Sequence, residues 1–254
     1  MEPRSGPIAV LTCLSQTDAA VVRTVAETGS TNADLLASAR ADAPEGCWLR
    51  AERQLAGRGR QGRSWASPPG NLYASTLVRL RPDDPAAATL ALLAAVALDD
   101  AIGVFLPDRT ALTLKWPNDL LLAGMKLSGI LLERADNAVV IGIGVNLAHH
   151  PDLPDRPTTS LAAQGVTVAP STLCDVLVET MARWLARWRG EGLAPVRARW
   201  LARAHPPGTA LTARLPDGIA IDGLFDGLDA DGALVLRLAA GDRRVIHAAD
   251  VFLL

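Results

Sequence analysis

The sequence predicts an α+β protein with a mixed central β-sheet, flanking helices and a small β-barrel at its C-terminal end. Three observations support this fold class. Short apolar segments separated by turn residues recur through the first two thirds of the chain, and two longer segments with helical periodicity lie among them. After Pro206-Pro207-Gly208 there are only short strands, separated by Pro-Asp-Gly and Asp-Ala-Asp-Gly turns. We therefore expect one domain over residues 1–205 and a barrel over residues 206–254.

The first elements are predicted by apolar runs and capping residues. Residues 20–26 have the composition of a strand, and the Gly29-Ser30-Thr31-Asn32 turn supplies N-cap residue types before a short helix from Ala33 to Ala39. Residues 47–53 and 72–80 are predicted as the next two strands.

The remaining elements alternate between helices and short apolar strands. Pro85 is expected to begin an alanine- and leucine-rich helix that runs to about Gly103. The helical period over residues 171–189 predicts an amphipathic helix that Gly190 ends and whose tryptophans lie in the core. Three further strands are expected between the two helices, with the sequences TLKW (113–116), SGILLER (128–134) and AVVIGIGVNL (138–147).

Composition and charge exclude several classes of protein. The chain of 254 residues is 49% hydrophobic and carries a formal net charge of −2, which argues against a surface devoted to nucleic acid. The apolar run near the N-terminus is too short for a signal peptide, and no segment is long and apolar enough to cross a membrane, so we expect a cytoplasmic protein. Isolated cysteines and an unpatterned set of histidines predict neither disulfides nor zinc: Cys13, Cys47, Cys174, His149, His150, His205 and His247.

Lysine is almost absent from the chain. Of the 25 basic residues 23 are arginine, and both lysines, Lys115 and Lys126, lie within TLKWPNDLLLAGMKLSG. Compositional bias alone would explain this distribution. The alternative is that the segment requires compact ammonium groups, which arginine cannot replace.

The stretch AGRGRQGRSW (56–65) is the most unusual segment. Its glycines have the G-x-G-x-x-G spacing of a dinucleotide-binding turn, but the two prolines in residues 64–71 prevent the helix that this motif requires. Glycines allow a loop to fold over a ligand, and guanidinium groups form bidentate hydrogen bonds to phosphate or carboxylate. The stretch therefore predicts a loop that closes over an anion, while a solvated loop or a nucleic-acid contact remain alternatives.

Four further motifs accompany this loop, in a fixed order. They are T-G-S-T-N at 28–32, K-W-P-N-D-L-L at 115–121, K-L-S-G-I-L-L-E at 126–133 and I-G-I-G-V-N-L at 141–147. Together with E-R-Q-L-A-G-R-G-R-Q-G-R-S-W at 52–65, they resemble the motifs of biotin protein ligases. The resemblance covers most of residues 20–165, and the terminal barrel resembles the SH3-like C-terminal domain of that family more loosely.

The resemblance implies a two-step acyl transfer that uses ATP and Mg²⁺. The carboxylate of biotin attacks the α-phosphate of ATP to give biotinyl-5'-AMP and pyrophosphate. A specific lysine of a biotin carboxyl carrier protein, or of a carrier domain of a biotin-dependent carboxylase, then attacks the activated carbonyl. The motifs begin by residue 28, so we expect no N-terminal DNA-binding domain and no regulatory binding to DNA. The resemblance leaves open whether the protein is a monomer or a homodimer.

Matching the motifs residue by residue assigns candidate roles. Lys126, Arg58, Arg60 and Asp119 are implied as catalytic residues, and Asp119 also as a contact of the metal ion or of the acceptor lysine. Biotin would be bound by Ser30, Thr31, Asn32, Gln54, Arg58, Arg60, Lys126 and Gly129. The nucleotide would be bound by Arg63, Trp65, Lys115, Asn118 and Asn146, close to the segment Thr159-Ser160-Leu161.

The resemblance is incomplete at the C-terminus, and other functions remain possible. The final HAADVFLL lacks the glycine that often precedes Asp-Val in the family, which leaves the contact of the barrel with the ATP site open. A lipoate protein ligase would share the fold and the adenylation chemistry. A non-catalytic biotin- or nucleotide-binding module and a nucleic-acid binder are the alternatives from other classes.

Overall fold

A computed structural model describes residues 22–253. Parts of the sequence-based predictions lie outside this range, namely the first two residues of the strand at 20–26, the apolar run before it and Cys13. In the described residues the chain forms a seven-stranded sheet, a five-stranded sheet and four α-helices.

The seven-stranded sheet is mixed, as predicted. Its strand order is β1-β2-β3-β7-β6-β5-β4; β1 and β2 run parallel, and every other neighbouring pair is antiparallel. The bounds are β1 Val22–Thr28, β2 Trp48–Gln54, β3 Leu72–Arg79, β4 Leu112–Lys115, β5 Asp119–Leu122, β6 Met125–Ala135 and β7 Ala138–Val145. Strand β5 was not predicted, because its four residues directly follow the Trp116-Pro117 turn.

Helix α1 (Thr31–Arg40) joins the two parallel strands. It begins two residues before the predicted Ala33, because Ser30 of the predicted capping turn has an extended backbone and its hydroxyl accepts a hydrogen bond from the backbone N–H of Ala33. The helix covers one face of the sheet and buries Leu35 there against Cys47, Leu49 and Val140.

Helices α2 (Leu90–Gly103) and α3 (Pro170–Glu191) pack on the other face. Their neighbours in the sheet include Trp48, Val139 and Ile141, which alternate along the strands with the residues beneath α1, as the two faces of a strand require. The core position predicted for the tryptophans of α3 is confirmed, since the exposed fractions of Trp184 and Trp188 are 5% and 0%.

Two predicted helix ends are wrong. Helix α2 does not begin at Pro85: Ala86 is extended, and a separate 3-10 turn at Ala87–Thr89 precedes the helix. The Thr89 hydroxyl donates to Ala86 O and accepts from the indole of Trp188, so a tertiary contact fixes this turn. Helix α3 continues through Gly190, and Gly192, with φ of +76°, follows its last turn. A fourth helix, α4 (Ala194–Leu201), was not predicted.

The C-terminal part is an antiparallel sheet with the order β11-β10-β9-β8-β12. Its strands are β8 Ala210–Arg214, β9 Ala220–Leu228, β10 Leu234–Arg237, β11 Arg243–Ile246 and β12 Asp250–Leu253. This agrees with the small all-β unit expected there, although the predicted last strand is divided into β11 and β12. Trp200 of α4 packs against Phe225 at 6.5 Å between ring centroids, which joins the core of this sheet to that of the helices.

No α-helix in residues 22–253 is long and apolar enough to span a membrane. The division of the chain at residues 205 and 206 remains a prediction.

Candidate active site

A cavity of about 520 Å³ opens beside the first turn of α1. Its walls come from the seven-stranded sheet, the glycine-arginine loop, the turn between β4 and β5, the segment 151–158 and the first residues of β12. All fourteen predicted site residues line it: Ser30, Thr31, Asn32, Gln54, Arg58, Arg60, Arg63, Trp65, Lys115, Asn118, Asp119, Lys126, Gly129 and Asn146. The structure therefore brings together every candidate, while the individual roles remain predictions.

Three glycines form the floor of the cavity. Gly129 of β6 and Gly144 of β7 face each other in the sheet register, and Gly142 lies two residues before Gly144 on the same face. A Cβ atom at Gly144 would lie 2.7 Å from the indole of Trp65, and one at Gly142 would overlap the amide of Asn32. Because these positions lack side chains, Trp65 and Asn32 can lie directly on the strand backbones.

One end of the cavity is neutral and hydrogen-bonded to itself. The Gln54 side-chain oxygen accepts from the backbone N–H of Thr31 at 2.9 Å, and the Ser75 hydroxyl lies 2.7 Å from both Thr31 Oγ1 and Asn32 Oδ1. The amide nitrogen of Asn32 donates to Glu133 at 2.9 Å. These contacts hold the polar side chains at fixed positions. Because the side chains carry no charge, we name this group the neutral wall: Ser30, Thr31, Asn32, Gln54 and Ser75.

The other end is charged and has Asp119 at its centre. This carboxylate lies 2.6 Å from Lys126 Nζ and 3.4 Å from Lys115 Nζ, and its side chain is only 6% exposed. Burial alone would raise the pKa of Asp119, but the two ammonium groups lower it below its usual value. Burial lowers the pKa of Lys115, whose ammonium group also donates to the backbone oxygen of Val251 at 2.9 Å. The two lysines of the chain therefore share one buried carboxylate.

The glycine-arginine loop spans from the sheet to the C-terminal strand. Gly59 N–H donates to Arg63 O at 2.7 Å, and Trp65 N–H donates to Gly57 O at 2.9 Å, so the loop is closed on itself. Gly57 is required there, because a Cβ atom would lie 2.6 Å from the backbone oxygen of Trp65. The Arg60 side chain donates to Ala249 O at 3.2 Å.

The arginines of this loop are paired with carboxylates. Arg63 forms an ion pair with Asp250 of β12, and Arg60 lies 3.7 Å from the same carboxylate. Arg58 lies 3.4 Å from Glu133, the residue that also holds Asn32. The loop thus connects the neutral wall to the C-terminal sheet through ion pairs that an incoming anion could replace.

Trp65 lies between the loop and the floor. Its ring centroid is 5.7 Å from Lys126 Nζ, and its buried indole N–H has no hydrogen-bond partner among residues 22–253. This N–H faces the floor and not the open cavity, since a Cβ atom at Gly144 would lie 2.7 Å from the indole nitrogen.

The two asparagines predicted to bind the nucleotide also hold the backbone of the cavity. Asn118 donates to Ile130 O at 2.5 Å, and Asn146 donates to Thr159 O at 3.1 Å. Their predicted contacts with adenine or ribose stay predictions. The predicted contact of Asp119 with Mg²⁺ also stays a prediction, and no group of three or more His, Cys, Asp or Glu residues within positions 22–253 is placed to hold a metal ion.

Sequence reasoning missed two side chains that line this cavity, Asp250 and Arg156, and two that hold lining residues in place, Ser75 and Glu133. Ser75 and Glu133 belong to predicted strands but were not assigned to the site, whereas Asp250 and Arg156 lie in segments whose composition is unremarkable. Ser75 and Glu133 carry a weak signal, since each is a polar residue in a largely apolar strand. The resemblance drew attention to the Asp-Val at 250–251 without assigning a role to Asp250, and nothing in the local sequence marks Arg156. Both side chains reach the cavity through tertiary folding.

The fold and this cavity define a class of proteins with known members. Residues 26–146 match the family described as "Biotin/lipoate A/B protein ligase family", and residues 209–254 match the "Biotin protein ligase C terminal domain". A biotin--[acetyl-CoA-carboxylase] ligase of Paracoccus denitrificans is 45% identical over 241 residues, which cover 90% of this chain and 98% of the relative. The ligase of the same name from Mycobacterium tuberculosis is 38% identical over 233 residues, covering 89% and 86%. The chain therefore belongs to the biotin protein ligase family.

Solved structures agree with this assignment. The biotin protein ligase from Aquifex aeolicus in complex with biotin and ATP has a TM-score of 0.80 over 92% of this chain and 99% of its own, at 23% identity, and shares the fold. The Leishmania major enzyme in complex with biotinyl-5-AMP has a TM-score of 0.63 at 27% identity, over 89% and 98% of the two chains. The predicted fold class and family are thereby confirmed.

Proposed function

We propose that this protein is an ATP-dependent ligase that converts biotin to biotinyl-5'-AMP and transfers the biotinyl group to a lysine of a biotin carboxyl carrier domain. One observation carries the proposal: a single cavity joins a neutral, hydrogen-bonding wall to a buried cluster of cations. The first suits an uncharged ring system, and the second suits a carboxylate and phosphates. The relatives named as biotin--[acetyl-CoA-carboxylase] ligases support the choice of biotin over lipoate and the choice of a carboxylase carrier as acceptor.

In the first step, a carboxylate oxygen of biotin attacks the α-phosphorus of ATP, and the bond to the β-phosphate oxygen breaks to release pyrophosphate. Lys126 would face both the biotin carboxylate and the α-phosphate. Its contact of 2.6 Å with Asp119 fixes the position of its ammonium group, so little reorganisation is needed as charge develops on the phosphate. Arg58, Arg60 and Arg63 would exchange their carboxylate partners for the anionic groups of the ligand.

In the second step, a neutral amine of the carrier attacks the acyl carbonyl, AMP leaves, and the amine loses a proton. Asp119 is an ionised carboxylate within this cavity, so it would orient the incoming amine. The loop and Trp65 would exclude water from the anhydride, which hydrolysis would otherwise destroy. No nucleophile of the protein is needed, since the substrates supply both attacking groups.

Mg²⁺ would enter with the phosphates of ATP and screen their charge. The carboxylate of Asp119 has ammonium groups 2.6 and 3.4 Å away, which is a poor setting for a dedicated metal ligand, so we assign no step to a protein-bound ion. We place the reaction in the cytoplasm because it consumes ATP and acts on a carboxylase. No DNA partner is proposed for a chain whose formal net charge is −2.

The direct test is a mass measurement on the acceptor. Purified protein with ATP, Mg²⁺ and biotin should add one biotinyl group to a carrier domain, and a carrier whose acceptor lysine is replaced by arginine should remain unmodified. Modification by lipoate in place of biotin would favour the lipoate ligase. Binding of biotin and ATP without AMP formation would favour a non-catalytic module.

The two lysines provide a matched test of the catalytic assignment. Lys126→Ala should lower the rate of pyrophosphate release about 100-fold or more, because it removes the cation aimed at the reacting groups. Lys115→Ala removes the other ammonium group beside Asp119 and should lower the same rate about ten-fold or less, since the Lys115 ammonium group is held by the backbone oxygen of Val251. A near-normal rate for Lys126→Ala, or equal losses in both variants, would refute the assignment.

A further inference from the structure

Arg156 is a cation of the cavity to which the family motifs assign no role. Its side chain is 18% exposed, and it belongs to the segment 151–158, which forms one wall of the cavity. The guanidinium group lies 5.8 Å from the centroid of the Phe252 ring on β12. The Arg156 side chain therefore lies in the cavity wall next to the C-terminal sheet.

The backbone next to Arg156 is tied to the residue we place at the reacting phosphate. Lys126 N–H donates to Pro157 O at 2.9 Å, and Thr159 N–H donates to Lys126 O at 3.0 Å. The hydroxyl of Thr158 donates to Pro151 O and closes the segment on itself. The position of Arg156 relative to Lys126 is thus set by short backbone connections.

The charges around Arg156 favour an incoming anion. Its partner Asp155 is 51% exposed, and an ion pair in contact with solvent contributes little free energy. Arg156 helps to lower the pKa values of both Asp119 and Lys115, so its charge acts on the same buried cluster. The guanidinium group can therefore leave Asp155 for a more strongly charged partner in the cavity at little cost.

We propose that Arg156 binds the β- and γ-phosphates of ATP, the part that leaves as pyrophosphate. This inference rests on the proposed adenylation of biotin. The α-phosphate must lie beside Lys126 and the biotin carboxylate, whereas Arg156 lies at the end of the cavity formed by segment 151–158 and β12. The distal phosphates carry most of the charge of ATP, and a guanidinium group binds such oxygens in a bidentate manner.

The test separates the phosphates from the rest of the nucleotide. Arg156→Ala should raise the KM for ATP about ten-fold or more and weaken inhibition by pyrophosphate to a similar degree. The KM for biotin, inhibition by AMP and the transfer of biotin from chemically prepared biotinyl-AMP to the carrier should all stay within about two-fold of wild type. Arg156→Lys should recover part of the ATP affinity, because it keeps the charge but loses the bidentate geometry.

Arg243→Ala provides a matched control, since Arg243 is also paired with an aspartate, Asp226 at 2.6 Å, but is exposed on β11 outside the cavity. An unchanged KM for ATP in Arg156→Ala would overturn the inference. Equal weakening of AMP and pyrophosphate inhibition would also overturn it, because Arg156 would then support the loop and not the distal phosphates. Failure of the wild-type protein to make biotinyl-AMP would instead refute the proposed function.

Discussion

The two ends of the cavity are built in opposite ways. The neutral wall lies on the sheet and on α1, and its polar atoms are already bonded to one another at 2.7–2.9 Å. The charged end is assembled from the glycine-arginine loop, the turn before β5, segment 151–158 and β12. Its cations are paired with carboxylates of the protein, of which Asp250 comes from the C-terminal sheet.

This difference indicates how the site divides its tasks. Neutral hydrogen bonds select a ligand by shape at little cost when their donors and acceptors are already in place. Under the proposed function, the cations of the other end would meet phosphates, and Asp119 and Asp250 provide their counter-charges in the absence of the ligand. Glu133 joins the two ends, since one of its oxygens accepts from Asn32 and the other lies 3.4 Å from Arg58.

The largest effect is expected when the buried counter-charge is removed from the charged end. Asp119→Asn leaves the ammonium groups of Lys115 and Lys126 buried without a carboxylate, which should lower the free energy of unfolding by about 3–5 kcal/mol near pH 7. Folding lowers the pKa of Asp119. Its contribution to the free energy of unfolding is therefore complete above the unfolded-state pKa near 4 and is lost as the pH falls through the lower pKa of the folded state.

Urea unfolding of both proteins between pH 3 and pH 8 measures this difference. The gap in stability between wild type and Asp119→Asn should be widest above about pH 5 and should narrow towards pH 3. A gap that stays constant over this range would show that Asp119 does not stabilise the protein as a carboxylate.

A single methyl group added at Gly142, which lies beneath the neutral wall, should displace the side chains of that wall. In Gly142→Ala, the added Cβ would overlap the Asn32 side chain, whose Cγ lies 2.8 Å from its position and whose amide is held by Ser75 and Glu133. We expect a loss of about 1–3 kcal/mol in stability and biotin affinity at least ten-fold weaker, with a smaller change in the KM for ATP.

Gly190→Ala is the control for this substitution, because a Cβ at Gly190 in α3 would have no atom of residues 22–253 within 4 Å apart from the adjoining backbone of its own helix. It should raise stability by about 0.5–1 kcal/mol, since alanine favours the helix interior. Calorimetric titration with biotin measures the first effect, and normal biotin affinity in Gly142→Ala would contradict the rigid wall described above.

A smaller effect is expected from the loop. Arg60→Gly removes the hydrogen bond to Ala249 O and the cation near Asp250, so the loop should hold the acyl-adenylate less firmly while biotin still enters. Release of biotinyl-AMP should rise about ten-fold, and added bystander proteins should be labelled on their lysines.

Arg53→Gly is a suitable control, because Arg53 is 54% exposed and paired with Glu27 outside the cavity. Streptavidin blots of a bystander protein distinguish the two variants. Equal labelling by both would indicate that Arg60 does not retain the intermediate.

These two ends also differ in how far the sequence predicted them. Apart from Ser75, the residues of the neutral wall lie in contiguous motifs, as do both lysines, so the resemblance to biotin protein ligases located them. Asp250 reaches Arg63 across 187 residues, and the Phe252 ring meets Arg156 by the same docking of the C-terminal sheet. No local pattern encodes such contacts, because they depend on how the C-terminal sheet packs against the rest of the chain.

The errors in secondary structure have the same origin. Pro85 is a valid signal for the N-terminus of a helix, yet the helix begins later, after a 3-10 turn. A hydrogen bond from Trp188 to Thr89, 99 residues apart in the sequence, accompanies that turn. Strand β5 is too short to show a period, and its place in the sheet is fixed by pairing with β4 and β6 on either side. Local signals predicted the elements well where no distant contact competed.

The smallest expected effect concerns the link between the floor and the loop that covers it. Tyr73 of β3 donates its hydroxyl hydrogen to Pro68 O at 2.8 Å, and burial raises its pKa to about 12. Tyr73→Phe should cost about 1 kcal/mol of stability, and this contribution is complete below pH 10 and lost as the pH rises through 12. Because Tyr73 is the only tyrosine of the chain, the pH-dependent rise in absorbance at about 295 nm, above the constant absorbance of the tryptophans, reports its ionisation: the phenolate should appear near pH 12 in the folded protein and near pH 10 in urea. A folded-state midpoint near 10 would mean that the hydroxyl is open to solvent and does not hold the loop.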